Sequence, residues 1–219
     1  MGLRMSAPRK EQGFALIELV MVVAIALIII GMAVPTFFSM RRNFRITGDA
    51  RDIAAEILVA KMRAASDFTQ ARARFDTSAN TFQIELWDKT GSTAACAGTP
   101  CWYVDAPSGT MYLSQGVSFG FGAQSNPPPN TQAAIGLAPG CTPGSGTNPG
   151  GGTAIANTAC VVFNSRSMPI DTTGAPTTND AIYLTDGNGV YATTISATGL
   201  LQTWRIDVGD TNAAHWVKR

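Results

Sequence analysis

Apolar and polar positions divide the chain into three regimes. From Phe14 to Val34 the sequence reads FALIELVMVVAIALIIIGMAV, apolar throughout except for Glu18. As a helix rising about 1.5 Å per residue, this run spans roughly 31 Å, the thickness of a bilayer hydrocarbon core. Further on, Ile46, Ala50, Ile53, Ile57, Ala60, Ala64 and Phe68 recur at intervals of three and four, with Arg51, Asp52, Glu56, Lys61 and Arg63 mostly on other faces. That spacing predicts an amphipathic helix packing one stripe on a core. Pro35, between the two stretches, lacks an N–H and is expected to kink the helix without ending it. Gly48 is expected to weaken the second stretch and mark a local melt.

From Thr69 the period becomes two. Ala71, Ala73 and Phe75 alternate with Arg72, Arg74 and Asp76; after Thr77–Asn80, Phe82, Ile84 and Leu86 alternate with Gln83, Glu85 and Trp87. This is a β-hairpin pattern. Further strands are expected at Trp102–Asp105, Met111–Phe121, Cys160–Asn164, Ala181–Thr185, Val190–Ile195 and Leu200–Asp207, with a turn at Asp186-Gly187-Asn188-Gly189. One long helix followed by short strands predicts an α+β fold with the helix packed on antiparallel sheet, in one sheet or two.

Charge changes the picture in two places. Between Asp105 and Arg166 lie 60 residues without a charge, and Gly122 to Gly152 holds eight Gly and six Pro. Such composition is expected to form a long irregular surface insertion rather than a packed core, serving as a spacer or a partner-binding loop. From Thr36 onward 13 basic residues balance 13 acidic ones, so no global field attracts polyanions. Three basic residues near each flank of the apolar run (Arg4, Arg9, Lys10 against Arg41, Arg42, Arg45) leave its orientation undecided.

Catalytic chemistry finds little to stand on. His215 is the single histidine and sits in an expected mobile tail, and no lysine lies between Lys89 and Lys218, so a His-based triad and a P-loop are both disfavoured. No catalytic residue, metal site or cofactor is expected, and the chain reads as a non-enzyme. The four cysteines, Cys96, Cys101, Cys141 and Cys160, all follow the apolar run and suggest disulfides in an oxidising compartment. Three pairings are open. Loop-closure entropy favours Cys96–Cys101 with Cys141–Cys160, and without a nearby His the spacing disfavours zinc.

Glu18 is the anomaly of the apolar run. A carboxylate within a membrane is costly and by default suggests function, although four residues from the start it also lies within snorkelling reach of the interface. A cut after Gly13 frees an amine on Phe14 that stands at i, i+4 to Glu18 on one helix face. The run is also longer than a secretory signal core and has no small-x-small site at its end.

Gly13-Phe14-Ala15-Leu16-Ile17-Glu18, preceded by a short basic leader and followed by an apolar helix and Pro35, resembles the class III signal peptide of type IV pilins and type II secretion pseudopilins. The hairpin reaching Trp87-Asp88, the block Val161–Pro169 and the Asp186–Asp207 region resemble the GspH/FimT type of minor pseudopilin. Ala15 stands where Thr or Ser is commonest. The resemblance implies a pilin fold. It implies a cytoplasmic leader 1–13 removed by prepilin peptidase, methylation of Phe14, and pairing of Glu18 with the Phe14 amine of a neighbouring subunit. It further implies an inner-membrane or filament-core helix at 14–34, an amphipathic helix at 35–68, and a periplasmic β-rich domain at 69–219 with the insertion at about 122–152. Type IV pilus and type II pseudopilus remain equally open. An alternative within the resemblance is a minor pilin that binds DNA or a surface, for which the C-terminal Trp216, Lys218 and Arg219 are the candidate contacts.

Overall fold

The computed structural model describes residues 16–177, 180–207, 209–210 and 212–219; the Gly13–Phe14 junction lies outside them. The chain forms two units, Met1–Arg42 and Asn43–Arg219. Helix α1, Leu16–Ser66, has residues in both.

In the first unit every residue from Leu16 to Val34 is exposed, and the segment is long and apolar enough to cross a membrane. The helical assignment passes through position 35. Beyond it, the Ser39 hydroxyl bonds the Thr36 carbonyl at 2.8 Å.

In the second unit the helix behaves as its 3–4 spacing predicts. Ile46, Ala50, Ile53, Ile57, Ala60 and Ala64 are all buried in one core with strand residues. Gly48 does not melt the helix, because the stripe on either side of it is docked. Phe68, expected to complete the stripe, is 75% exposed. The helix stops at Ser66, and Phe68 takes a positive φ of 49° that turns the chain into the first strand.

The first sheet contains β1 (Ala71–Asp76), β2 (Thr81–Asp88), β3 (Cys101–Val104), β4 (Thr110–Tyr112), β6 (Thr158–Phe163) and β7 (Pro169–Ile170). Their order is β3-β2-β1-β6-β7, with β4 also on β2. The second sheet contains β5 (Ser118–Phe119), β8 (Asp180–Thr185), β9 (Gly189–Ile195), β10 (Leu201–Asp207) and β11 (Val217–Lys218), in the order β11-β10-β9-β8-β5. Every pairing is antiparallel. In the β1–β2 hairpin Phe75 faces Phe82 and Ala73 faces Ile84, and the Asp76 carboxylate accepts the Ser78 and Ala79 N–H groups in the turn. The expected strand Met111–Phe121 is instead two short strands on different sheets. Gly116, with φ of 86°, and the Val117 N–H to Ser114 carbonyl bond make the corner between them.

Alternation gives the second sheet two apolar faces. Ile182, Leu184, Tyr191 and Ile195 join the core under α1, while Ala181, Tyr183, Val190, Ala192, Trp204 and Ile206 form a second core on the other side. Ile135 and Leu137 from the Gly/Pro-rich region, Phe121 just before it and Trp216 from the C-terminus cover that second core. The insertion, expected to be a surface loop without packing, therefore closes a face of the sheet. It lacks regular strands, but Pro128, Ala138 and Cys141 are buried in it. Few residues of the segment pack, and distant groups hold two of them: Cys141 through its disulfide to Cys160, and Ala138, whose N–H donates to the Ala181 carbonyl at 2.8 Å.

Candidate functional site

Glu18 lies in the first described turn of α1, exposed, with apolar side chains before and after it. Leu16, Ile17, Leu19, Val20 and Met21 around it are each more than half exposed. A lone carboxylate on an uncovered apolar helix is unfavourable in lipid and favours a state in which a cation sits beside it. Gly13 and Phe14 lie outside the described residues. At the other end of the apolar stretch Arg41 stacks over Phe37 at 6.0 Å, and Arg42 follows. Charged side chains there are suited to the aqueous boundary of a membrane segment.

The β-domain is fastened to its helix and stapled internally. The buried Asp49 carboxylate accepts the Ser114 N–H at 3.0 Å and hydroxyl at 2.8 Å; burial raises its pKa, opposed by these two bonds. Arg63 pairs with Asp105 at 3.0 Å. Disulfides join Cys96 to Cys101 and Cys141 to Cys160. The second ties the insertion to β6, and all four thiols are thereby removed from metal ligation.

A buried ionic cluster, missed in the alternating pattern, holds the insertion on the first sheet. Arg72 donates from Nε to Glu85 Oε2 at 2.6 Å and from Nη1 to the Thr142 carbonyl at 2.6 Å, and stacks at 4.1 Å over Trp102. Arg74 and Gln83 also bond Glu85, at 3.1 and 2.7 Å. Burial lowers the Arg72 pKa, and Glu85 opposes the shift. The Trp102 indole N–H reaches the Pro149 carbonyl at 2.9 Å. Arg72, Arg74 and Glu85 read in sequence as the solvent face of a hairpin, and nothing local to them shows that a segment 70 residues away covers it.

The C-terminal candidates are ordered, contrary to the expected mobile tail. His215 lies in a 3-10 turn, Ala213–His215, with Nδ1 at 2.7 Å from Asp210. Trp216 is buried, stacks edge-on to Tyr183 and donates its indole N–H to the Asn126 carbonyl at 3.1 Å. Lys218 sits over the Trp204 ring at 4.8 Å. The apolar Trp216 side chain and the pairing of β11 with β10 are what fix this segment. Arg219 shares a cavity with Arg51 and Arg205. No stretch of sequence announces that convergence, because the three come from the helix, β10 and the terminus.

Among the described residues no three His, Cys, Asp or Glu side chains form a metal-binding group. The small cavity lined by Arg72, Trp102, Cys141, Cys160, Asp171 and Asp180 has a volume of about 30 Å³, room for a water molecule.

Comparison with known proteins bears on the N-terminal segment. Residues 8–34 match a prokaryotic N-terminal methylation motif. That match spans the Gly13–Phe14 junction, Glu18 and the whole apolar run. No curated protein matches the chain. Among solved structures it is similar to the minor pseudopilin EpsH from the type 2 secretion system of Vibrio cholerae. The identity is 12% and the TM-score 0.39, over 76% of this chain and 99% of that one.

Proposed function

We propose that this chain is a minor pilin-like subunit: cut between Gly13 and Phe14 by a prepilin peptidase, methylated on Phe14, and drawn from the inner membrane into a type IV pilus or type II secretion pseudopilus. The observation that carries this reading is the methylation motif at residues 8–34. The exposed apolar helix that follows it supports the reading, as do the disulfides, which suit a periplasmic domain. In such an assembly the helix exchanges lipid for neighbouring helices. Glu18, unpaired in lipid, gains the Phe14 amine of the next subunit, and this difference biases the chain toward the filament. The subunit's work is mechanical, and no bond-making chemistry is assigned to it.

The mass of the mature N-terminal peptide, measured after expression with and without a prepilin peptidase, tests the processing step. A peptide beginning at methylated Phe14 is expected only with the peptidase; an intact Met1 terminus in both defeats the proposal. Glu18→Ala is expected to leave processing intact and to deplete the chain from sheared filaments. Normal incorporation of that variant removes the pairing step while leaving the processing step standing.

The DNA-binding alternative receives less support. Trp216 is buried and Trp204 already carries Lys218, so neither ring face offers a base a stacking platform.

A further inference from the structure

Two cavities of the second unit form one groove. The larger, about 650 Å³, is lined by Ala54, Ala55, Leu58, Lys61, Gly199 and Leu200, among others. The other, about 460 Å³, includes Thr47, Arg51, Ala54, Tyr191, Arg205 and Arg219 in its lining. They share Ala54 and lie between α1 and the second sheet. From Asn43 to Lys61 the helix wall is about 27 Å long at 1.5 Å per residue.

The alternation of β10 explains why this side of the sheet is left open. Trp204 and Ile206 point into the second core, so Leu201, Thr203 and Arg205 face the helix side; Leu201 packs on the core there, while Thr203 and Arg205 leave the rest of that strand face polar. The Thr47 and Tyr191 hydroxyls bond at 2.9 Å within the basic half, and Lys61 Nζ donates to the Gly199 carbonyl at 2.9 Å in the other.

The two halves differ in chemistry. The basic half has three guanidinium groups and no Asp or Glu in its lining. Arg205 pairs with Asp207 at 2.9 Å and lies over Tyr191, while Arg51 and Arg219 make no side-chain hydrogen bond or ion pair among the described residues. The other half exposes aliphatic side chains: Leu58 is 47% and Leu200 57% exposed, with Met62 one turn beyond Leu58.

We propose that this groove docks a segment of another protein that carries one or two carboxylates at one end and aliphatic side chains about two helical turns away. Charge complementarity selects the acidic end, since each carboxylate meets a guanidinium in bidentate geometry. The aliphatic half selects protein over a polyanion. A nucleic acid has no use for Leu58 and Leu200, and the aromatic rings beside the arginines are engaged. The proposal does not depend on processing at Gly13 or on filament assembly.

A photo-crosslinking residue placed at Leu200 or Thr203 of the full chain, in cells of the source bacterium, tests it, with Ala79 in the β1–β2 turn as the control position. The expected adduct is a peptide from another protein, with its aliphatic residues joined at Leu200 and its Asp or Glu near Thr203. The yield is expected to fall at least about fivefold in Arg51→Glu/Arg205→Glu and to return when the partner's acid is reversed to Lys. Arg51→Glu alone, at an exposed helical position, keeps the test valid if the double variant misfolds. Adducts to nucleic acid or lipid overturn the proposal, as do protein adducts indifferent to charge reversal or no adduct above the control.

Discussion

The two halves of α1 are one continuous element in two different states. From Leu16 to Val34 every position is exposed, and apolarity goes all round the helix. From Ile46 to Ala64 a single stripe is buried to within a few per cent and the opposite face is charged. Backbone and hydrogen bonding are the same; the distribution of side chains around the axis alone decides whether a half docks on its own domain or needs lipid or neighbours to cover it.

The largest test of that contrast is a pair of substitutions. Ile53→Ala removes a fully enclosed side chain and is expected to destabilise the β-domain by about 4 kcal/mol, read as a lowered urea midpoint of the full chain in detergent. Ile25→Ala makes the same chemical change in the exposed half and is expected to leave that midpoint within about 0.5 kcal/mol. Equal losses sink the idea that the first half is independent of the domain.

Disulfide removal extends the comparison to the insertion. Cys141→Ser/Cys160→Ser opens a bridge of sequence separation 19, and chain entropy puts the loss at about 3 kcal/mol; the bridge of separation 5, Cys96–Cys101, is worth about 2. Faster proteolysis of 122–152 is expected to accompany only the first loss. Cleavage at equal rates in both variants contradicts the view that this bridge holds the insertion down.

Much of this was legible. The apolar run, the buried stripe of α1, the alternating hairpin and the α+β class all follow from periodicity, because those residues meet their partners through local geometry. The insertion was not, since its order comes from distant groups: Arg72 bonding Thr142, Trp102 bonding Pro149, Trp216 closing the second core. Gly and Pro content reports what a segment cannot build alone and is silent on what holds it. The short strands β7 and β11, of two residues each, carry no period at all. The methylation motif at residues 8–34 needs no distant partner to be recognised, because it is read along the chain.

A smaller effect concerns the start of β8, where Asp180 lines the small cavity beside the insertion. Burial, and secondarily Asp171, pushes the Asp180 carboxyl up to about 6. An unfolded aspartate releases its proton near 3.9, so the folded chain binds more protons between about pH 4 and 6. The stability tied to the neutral carboxyl is therefore complete below about pH 4 and is lost as pH rises through about 6. Asp180→Asn is expected to gain about 2 kcal/mol at pH 7 and to flatten the pH dependence across that window. Thermal melts from pH 4 to 8 that keep the same slope in the variant rule out Asp180 as its source.

The smallest effect returns to the helix. Beyond the chain neighbours and the helix's own backbone, nothing lies within 4 Å of where a Cβ would stand at Gly31 or Gly48, and both are helical. Alanine at either position restricts the unfolded chain and favours helix. In the docked half this change bears on the cooperative unit, so Gly48→Ala is expected to raise the urea midpoint by the equivalent of about 0.5–1 kcal/mol. In the exposed half Gly31→Ala is expected to leave the midpoint unchanged, because that turn is already helical without the domain's help. Its effect belongs to lateral association, where a small residue lets helices approach closely. Reduced self-association of Gly31→Ala in a membrane two-hybrid assay, with an unaltered urea midpoint, separates the two halves. A shift of the midpoint by Gly31→Ala makes α1 one cooperative unit and removes the distinction.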